Sequence, residues 1–431
     1  MGTCKVAVTT GGEPTAQPAP LRICYLLQQF PLPTETFAVS DISALLAQGH
    51  VVSVYTVKRP RRHEARLLAQ CGVPKELQIS RATWAGARTW PKLLWRLRST
   101  LPALLRSIMR GAASNPVTAI QALLCVPRIV EIAAAVDEND VDVVHAFWAR
   151  HVGLVLSVLR AKGARAVRTG FVGAYDLVAD DFLVDMTLGA AEIIFSHAEV
   201  NRPYLERKAP VGAQIEIIRR GIPLPKLADD SVRQQFQWIT ASSLIPDKNV
   251  EAVLRAFATA RHRERRLTLK VFGEGPDRSN LEGIARELGC SDVVTFAGHV
   301  RRDELFAEMQ RASVFLLLSK GRWERLPNVL KEALWAGCAV ISSNSPGIEE
   351  LISDRRIGFV VDPDDQDAIA AAVTAVLDCT DLERAERRQS ARAHVAEHFS
   401  AESSMLSYAQ AWELHSRHPA LARAEQLARR Q

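Results

Sequence analysis

The stretch that decides the fold runs from Ala312 to Leu351 and reads ASVFLLLSKGRWERLPNVLKEALWAGCAVISSNSPGIEEL. It opens with a continuous apolar run, Val314–Leu318, which predicts a strand buried on both faces. After a polar loop, the pattern predicts a helix over Asn328–Ala336 that ends at Gly337, followed by a second buried strand over Ala339–Ser342. This order is typical of a parallel α/β sheet, in which ligands bind at the carboxyl ends of the strands.

Two carboxylates flank the start of the predicted helix. Glu324 lies in the preceding loop, and Glu332 lies inside the helix. Pro327 suits a first helical turn, where a missing N–H group costs nothing, and a helix N-terminus can hold a diphosphate. Glu324 would then face the group attached to the phosphate, and Glu332 could accept hydrogen bonds from ribose hydroxyls. From the spacing alone, two ordinary surface charges are the preferred interpretation.

The run ERLPNVLKEALWAGCAVI, residues 324–341, resembles the E-G-(F/L)-P-N-V-L-(L)-E-A-M-A-x-G-x-P-V-(V/I) signature of the family 4 retaining glycosyltransferases. The following SPGIEELI is similar to the family's G-G-(V/I)-x-E-(L/I)-(V/I). The resemblance implies the α/β GT-B fold, in which two Rossmann-like domains face each other across a cleft. Arg325 departs from the pattern because it stands where the family usually has glycine.

The same resemblance implies a donor site in the second domain. ASSLIPDKNVEAVLRAF, residues 241–257, is similar to the family's G-R-L-x-x-x-K segment, with Lys248 as the lysine that neutralises the diphosphate. Ser243 replaces the family's arginine, a clamp for which Lys320, Arg322 or Arg325 could substitute. Glu324 is expected to orient the sugar and stabilise its developing positive charge. The remaining donor-side residues implied are Gly273, Gly275, Val300, Pro327, Asn328, Glu332, Gly347 and Glu350.

The first domain contributes candidates for the acceptor side. Its opening resembles exopolysaccharide and colanic-acid members of the family, which implies acceptor contacts by Glu35 and Thr36, although helix capping explains both equally well. Asp176 matches a family aspartate, and Gly173 falls where a sugar-contacting histidine usually stands. His145 is a further catalytic candidate, but a single histidine at a strand end is more often structural.

Composition and periodicity set the organisation of the chain. Its 431 residues predict two or three domains, and seven scattered cysteines without a C-x-x-C spacing favour a reducing cytosol over disulfides or zinc. We expect a flexible tail over 1–20, a first domain over 21–225 completed by residues 401–431, and a second domain over 236–400. Further strands are predicted at Leu21–Leu27, Val51–Val57, Val141–Phe147, Ala164–Phe171, Glu192–His197 and Trp238–Leu244, while Ile215–Gly221, Leu267–Phe272 and Val293–Phe296 resemble further segments of the family.

Residues 78–130 contain no carboxylate but eight basic residues. Within 81–110, leucines at helical spacing, three tryptophans and arginines have the composition of an interfacial helix attracted to anionic lipid. An ordinary helix packed on the sheet is the alternative interpretation. Nucleic acid is not expected to bind, because the charges come without a nucleic-acid motif. No transmembrane segment is expected, since the longest apolar stretch, 119–136, is interrupted by polar and charged residues.

The sequence therefore predicts a cytoplasmic enzyme, and the interfacial interpretation of 81–110 adds peripheral binding at the inner face of the plasma membrane. The enzyme would transfer a sugar from a nucleoside-diphosphate sugar, with UDP as the favoured nucleotide, to a glycan or polyprenyl-diphosphate-linked acceptor, with retention at the anomeric carbon. No cofactor or metal is expected, because a lysine and a helix dipole can neutralise the diphosphate. The rival hypotheses are a non-catalytic binding or partner subunit of the same fold, to which Gly173, Ser243 and Arg325 point, and a nucleotide-sugar epimerase or phosphorylase.

Overall fold

The computed structural model describes residues 20–32, 36–58, 67–69, 71–81, 91, 95, 98–179, 181–321 and 324–417. The predicted tail, Glu35 and Arg322 lie outside these residues, as do the residues beyond Arg417. Within the described part, two parallel sheets carry the fold. The domain limits expected from the sequence, 21–225 and 236–400, contain the two sheets except for residues 234 and 235, with which the second sheet begins.

The first sheet has seven strands in the order β3-β2-β1-β4-β5-β6-β7, and every pair is parallel. Its central strands are buried on both faces, as expected when helices cover a parallel sheet. The strands are β1 Arg22–Leu27, β2 Val51–Thr56, β3 Gln78–Ser80, β4 Val143–Phe147, β5 Val167–Phe171, β6 Ile193–Ser196 and β7 Gln214–Ile217.

The helices of the first domain lie on both faces of this sheet, since crossovers between parallel strands usually return through a helix. They are α1 Thr36–Ala47, α2 Leu101–Gly111, α3 Pro116–Glu138, α4 Gly153–Lys162, α5 Ala174–Ala179, α6 Phe182–Ala190 and α7 Arg202–Lys208.

The second sheet has six parallel strands in the order β10-β9-β8-β11-β12-β13. The order reverses between β8 and β11, and in open α/β sheets a ligand binds at such a reversal. The strands are β8 Gln234–Ala241, β9 Thr268–Phe272, β10 Val294–Gly298, β11 Ala312–Leu317, β12 Ala339–Ser343 and β13 Gly358–Val361. The helices are α8 Val250–Arg263, α9 Arg278–Glu287, α10 Arg302–Arg311, α11 Asn328–Ala336, α12 Gln366–Leu377 and α13 Asp381–His398.

Two segments cross between the domains side by side. After β7 the chain passes Gly221 and Ile222, where the Ile222 N–H donates to the Phe399 carbonyl and the Ala401 N–H donates to the Ile222 carbonyl, each at 2.8 Å. A Cβ atom on Gly221 would lie 2.1 Å from the Ser400 backbone, so only glycine permits this approach. The final helix, α14 Ala401–Arg417, then packs on α1 of the first domain.

The predicted elements are largely confirmed. Helix α11 and its left-handed Gly337 cap are found as expected, and the strands differ from prediction mainly at their ends. The largest shift is at β8, which begins at Gln234 instead of Trp238. The short edge strand β3 and strand β13 were not predicted, and β7, β9 and β10 lie in segments known only by their resemblance to family motifs.

Helix α3 is the one described helix that is long and apolar enough to cross a membrane by length and composition. About 61% of its most apolar window is buried within the protein. Its buried Arg128 donates to the Thr56 carbonyl at 2.9 Å and to the Ser80 carbonyl at 2.7 Å, at the ends of β2 and β3. These contacts are those of a helix packed on the first sheet.

Candidate active site

Loops at the carboxyl ends of the two sheets meet at the domain junction. Arg325, in the loop after β11, donates a hydrogen bond to the side-chain oxygen of Asn201, which follows β6 in the first domain. Glu350, after β12, accepts from the Glu199 N–H at 2.6 Å and from Arg219 at 3.0 Å. The predicted donor-side loops therefore face the first domain directly.

Lys248 and Glu324 form an ion pair at the centre of this region. The Lys248 ammonium lies 2.7 and 2.8 Å from the two Glu324 carboxylate oxygens. Lys248 belongs to the loop after β8, and Glu324 to the loop after β11. The Lys320 N–H donates to the Asp247 carbonyl at 2.9 Å, which ties the two loops together. The two residues predicted to be catalytic from distant motifs are thus brought into contact.

Helix α11 begins where the β11 loop turns sharply. Leu326 has a positive φ of 48°, an unfavourable conformation for leucine, and its side chain is buried. Pro327 then precedes the first helical residue, Asn328, whose side-chain oxygen accepts from Lys331 at 3.0 Å. The buried Leu326 side chain therefore stabilises this turn, which connects the loop carrying Glu324 to the start of α11.

Glu332 is buried and is not the surface charge that spacing alone favours. Arg302, at the start of α10, lies 2.8 Å from Glu332 through Nε and 2.6 Å through Nη2. Arg302 also donates to the Ser40 hydroxyl of α1 at 3.3 Å. The predicted ribose-binding carboxylate is therefore held by an arginine that also contacts the first domain.

Arg325 does not point into solvent. Its side chain is part-buried against Asn201, and burial lowers the pKa of its guanidinium. Ser243, which replaces the family's arginine, is exposed in the loop that carries Lys248. Lys320 instead pairs with Asp364 on the surface. Of the two described candidates for the missing arginine, Arg325 is therefore the one that lies in the cleft. The third candidate, Arg322, lies outside the described residues.

Gly273 and Gly275 allow two loops to touch. Gly273 has a φ of 124°, and a Cβ atom there would lie 1.8 Å from the Ser242 carbonyl oxygen. A Cβ atom on Gly275 would lie 2.1 Å from the Leu244 carbonyl oxygen, and the Leu244 N–H donates to the Glu274 carbonyl at 3.0 Å. These glycines hold the loop after β9 against the loop of Lys248. Val300 is partly buried against the neighbouring core.

Gly347 lies beside Glu350 at the other edge of the cleft. Its φ is 85°, and a Cβ atom would contact Val200 at 3.2 Å and Ala198 at 3.6 Å, both in the first domain. Gly347 is thus favoured by its backbone conformation, and any side chain there would press on the first domain.

On the acceptor side, Trp148 fills the space beside Gly173. A Cβ atom on Gly173 would lie 2.2 Å from Cζ3 of Trp148, which itself has a positive φ of 70° just after β4. The Trp148 ring also contacts Phe37 and Phe171 edge-on. A tryptophan therefore occupies the volume into which the family's histidine side chain would project.

Asp176 stabilises the loop that carries Gly173. Its Oδ2 accepts from the Gly173 N–H at 3.0 Å, and Arg150 lies 3.9 Å from Oδ1. Burial raises the pKa of Asp176 to about 7, an effect that the Gly173 and Ala149 N–H groups and Arg150 partly offset. Of the other acceptor-side candidates, Glu35 lies outside the described residues. Thr36 begins α1, and its side chain is not among those described.

The prediction that His145 is catalytic is not supported. The side chain is 1% exposed and lies within an aromatic core that includes Tyr25, Phe195 and Trp412. Its Nδ1 is 2.8 Å from the Thr169 hydroxyl, and burial, with Arg220, lowers its pKa to about 3. A neutral, enclosed histidine cannot reach a substrate in the cleft, so its role is structural.

A buried polar network between α11 and the first domain was also not predicted from the sequence. Lys331, on α11, donates to the Arg220 carbonyl at 2.7 Å, and Arg220 pairs with Asp41 of α1. The Arg220 guanidinium lies over the rings of Phe37 and Phe147 at 4.2 and 4.4 Å. Burial, with Arg220, lowers the pKa of Lys331 to about 7. These contacts join α11 to the first domain.

Three residues of the site carried weak or no sequence signals. Trp148 follows a predicted strand, a position at which ligand-facing residues are expected, and Arg302 lies two residues after the GHV motif. Nothing in the sequence marks Asn201. Among the described residues, no group of three or more His, Cys, Asp or Glu side chains could hold a metal ion.

Comparison with known proteins places this geometry in context. Residues 230–394 match the model of the glycosyl transferases group 1. The chain is 35% identical over 144 residues to a GDP-mannose-dependent alpha-(1-6)-phosphatidylinositol monomannoside mannosyltransferase of Mycobacterium tuberculosis. That similarity covers 32% of this chain and 37% of the relative, so the chain spans little more than a third of that protein's length.

A longer similarity is to the putative colanic acid biosynthesis glycosyltransferase WcaL of Salmonella typhimurium. It is 24% identical over 368 residues, which cover 81% of this chain and 89% of the relative.

Solved structures show the fold over most of the chain. Alr3699/HepE of Anabaena, solved in complex with UDP, superposes with a TM-score of 0.67 at 15% identity, covering 90% of this chain and 99% of that one. The sucrose-phosphate synthase of Thermosynechococcus elongatus superposes with a TM-score of 0.65 at 17% identity, covering 90% and 97%. Residues 230–394 therefore match the model of the glycosyl transferases group 1, and the chain as a whole has the two-domain GT-B fold of these solved structures.

Proposed function

We propose that the protein is a retaining glycosyltransferase that uses a nucleoside-diphosphate sugar. The observation that carries the proposal is the Lys248–Glu324 pair at the mouth of α11, with Glu332 buried further along the same helix. This arrangement provides a cation and a helix N-terminus for a diphosphate, a carboxylate for the sugar and a second carboxylate for the ribose.

In the reaction, the bond between the anomeric carbon and the diphosphate breaks, and a bond to an acceptor hydroxyl forms. The products are a glycoside and a nucleoside diphosphate. The proton of the acceptor hydroxyl is released together with the nucleoside diphosphate. Lys248 would stabilise the negative charge that develops on the diphosphate, and Glu324 the positive charge that develops on the sugar ring. No metal is needed in this scheme, because the cation and the helix dipole meet the charge of the leaving group.

The identity of the base is the first open choice. UDP is the nucleotide that the sequence analysis favours, and Alr3699/HepE, of the same fold, was solved with UDP. A GDP-sugar is the second candidate, since the relative with 35% identity is named as GDP-mannose-dependent. For the acceptor, the relative named for colanic acid biosynthesis favours a glycan or a lipid-linked glycan on the way to a polysaccharide.

The test compares the two carboxylates by calorimetric titration and by transfer assay. Glu332→Ala should weaken binding of the free nucleotide and of the nucleotide-sugar alike, with UDP and GDP compounds titrated in parallel. Glu324→Ala should bind free nucleotide like the wild type but transfer no sugar. Normal binding and normal transfer by both variants would disprove the proposal. A wild-type protein that binds no nucleotide-sugar would favour the rival hypothesis of a non-catalytic subunit.

A further inference from the structure

Exposed apolar side chains lie on two helices of the first domain, α2 and α3, which contact each other. On α3, Val117, Ile120 and Leu124 are 63%, 59% and 77% exposed. They recur at intervals of three and four residues, which places them on one face of the helix. On α2, Met109 is 62% and Leu105 is 38% exposed. We call these five side chains the α2–α3 face.

Folding of the domain does not require these side chains. Each helix already buries a different face, since Leu104 and Ile108 of α2 and Ala122 and Ile129 of α3 belong to the core of the first domain. Leaving five large apolar side chains in water is unfavourable, and on a soluble protein such a cluster usually marks an interaction site. The fold therefore presents a second apolar surface that something else covers.

The concentration of exposed apolar side chains at this place is unusual for the described part of the chain. Fourteen large apolar residues are exposed there, and the α2–α3 face and nearby Trp95 account for six of them within 30 residues. The other eight are spread over the remaining described chain: Val51, Tyr175, Val178, Val200, Val211, Val232, Val360 and Leu382.

Charge selects the kind of partner. Arg106 and Arg110 follow Leu105 and Met109 directly on α2, so they flank the apolar face. Arg98 lies over the Trp95 ring at 4.4 Å. The sequence has no carboxylate between residues 78 and 130, so no acidic side chain of this stretch neutralises these arginines. An apolar strip bordered by unneutralised arginines is complementary to a bilayer with anionic headgroups.

We propose that the α2–α3 face docks the protein on an anionic lipid bilayer, with α2 and the first half of α3 lying in the interface. This surface differs from the segment 81–110 predicted from the sequence, because it includes α3. Within residues 82–97 only Pro91 and Trp95 are described, so this surface rests on α2, α3 and the Trp95–Arg98 pair. Helix α3 does not cross the bilayer, since Arg128 and its buried face hold it against the first sheet.

The experiment is sedimentation of the full chain with vesicles. The wild type should bind vesicles of equimolar phosphatidylglycerol and phosphatidylcholine, bind poorly to phosphatidylcholine alone, and be released by high salt. Changing Met109, Ile120 and Leu124 together to Ser should abolish binding. Changing Arg98, Arg106 and Arg110 to Gln should weaken binding roughly 100-fold, from the usual contribution of each basic residue near an anionic surface.

A matched control keeps the test specific. Val211, Val232 and Leu382 are also exposed apolar residues, and changing all three to Ser should leave vesicle binding unchanged. Circular dichroism and nucleotide titration of each variant separate loss of docking from misfolding and from failure of the proposed function. Equal binding to both kinds of vesicle, or loss of binding in the control variant, would overturn the proposal. So would light scattering that shows the α2–α3 face joining two copies of the chain without any vesicle binding.

Discussion

Replacing Lys248 with Ala tests the central ion pair. In the free protein its ammonium lies 2.7 and 2.8 Å from Glu324, and the two side chains are only 26% and 12% exposed. The change removes the cation that would face the diphosphate. It also leaves the negative charge of Glu324 without a partner next to the proposed diphosphate site. Two unit charges about 4 Å apart interact by about 4 kcal/mol at the effective dielectric of a partly buried site. Both effects therefore oppose binding and turnover.

We expect kcat to fall by about 10²–10³-fold, the usual cost of losing one preorganised charge that stabilises a transition state. The free energy of unfolding should fall by about 1–3 kcal/mol, because the mostly buried Glu324 is left without its partner. Initial rates with saturating nucleotide-sugar measure the first quantity, and urea unfolding measures the second. A loss of activity far larger than that of a control with the same loss of stability would place Lys248 in the reaction.

Lys270→Ala is the control for this variant. Lys270 pairs with Glu308 at the same distance of 2.7 Å, with side chains 35% and 19% exposed, in the same domain but within strand β9. Its removal should cost similar stability and leave kcat unchanged. The reasoning would be refuted if both variants lowered kcat equally, or if Lys248→Ala kept kcat within twofold of the wild type.

Three further predictions use the first domain. Since the folded-state pKa of Asp176, about 7, exceeds its ordinary value, the folded protein should lose stability as the pH rises from about 4 to about 7, and Asp176→Asn should remove that part of the pH dependence of Tm. Gly173→His should destabilise the protein, typically by about 1–3 kcal/mol, because Trp148 fills the space beside Gly173. Trp148→Ala should restore stability in the double variant. If the losses of the two single variants simply added in urea unfolding, the explanation would be wrong. Arg325→Ala should lower turnover sharply. Asn201→Ala removes only the contact between the domains and should lower turnover less. Equal turnover of the two variants would show that Arg325 acts by bridging the domains.

The sequence was sufficient for the segment from β11 to the Gly337 cap because each of its signals is local. An apolar run, a proline and a glycine are enough to define β11, α11 and the Gly337 cap, and all three are found. The short edge strand β3 was missed for the opposite reason. Its three residues carry too little pattern, and its pairing with β2 depends on contacts that the local sequence does not encode.

Burial explains why His145 was misassigned. A histidine at the carboxyl end of a strand has the same local sequence whether its side chain faces the cleft or the core. The aromatic residues that enclose it include Tyr408 and Trp412, which belong to α14, more than 250 residues away. Only the return of this helix onto the first domain, which follows from the crossing at Gly221 and Ser400, decides which environment His145 has.

The same limit applies to the partners of the donor-side residues. The motif marks Glu332 and Arg325, but their partners in the structure, Arg302 and Asn201, are 30 and 124 positions away. Arg302 in turn reaches Ser40, 262 positions away in the first domain. Arg325 thus contacts the first domain directly and Glu332 contacts it through Arg302, so the proposed use of each residue toward a ligand competes with a contact that links the domains. A nucleotide-sugar that takes the Glu332 carboxylate for its ribose must displace Arg302 or share the carboxylate with it, so the strength of donor binding depends on first-domain contacts that the motif does not contain.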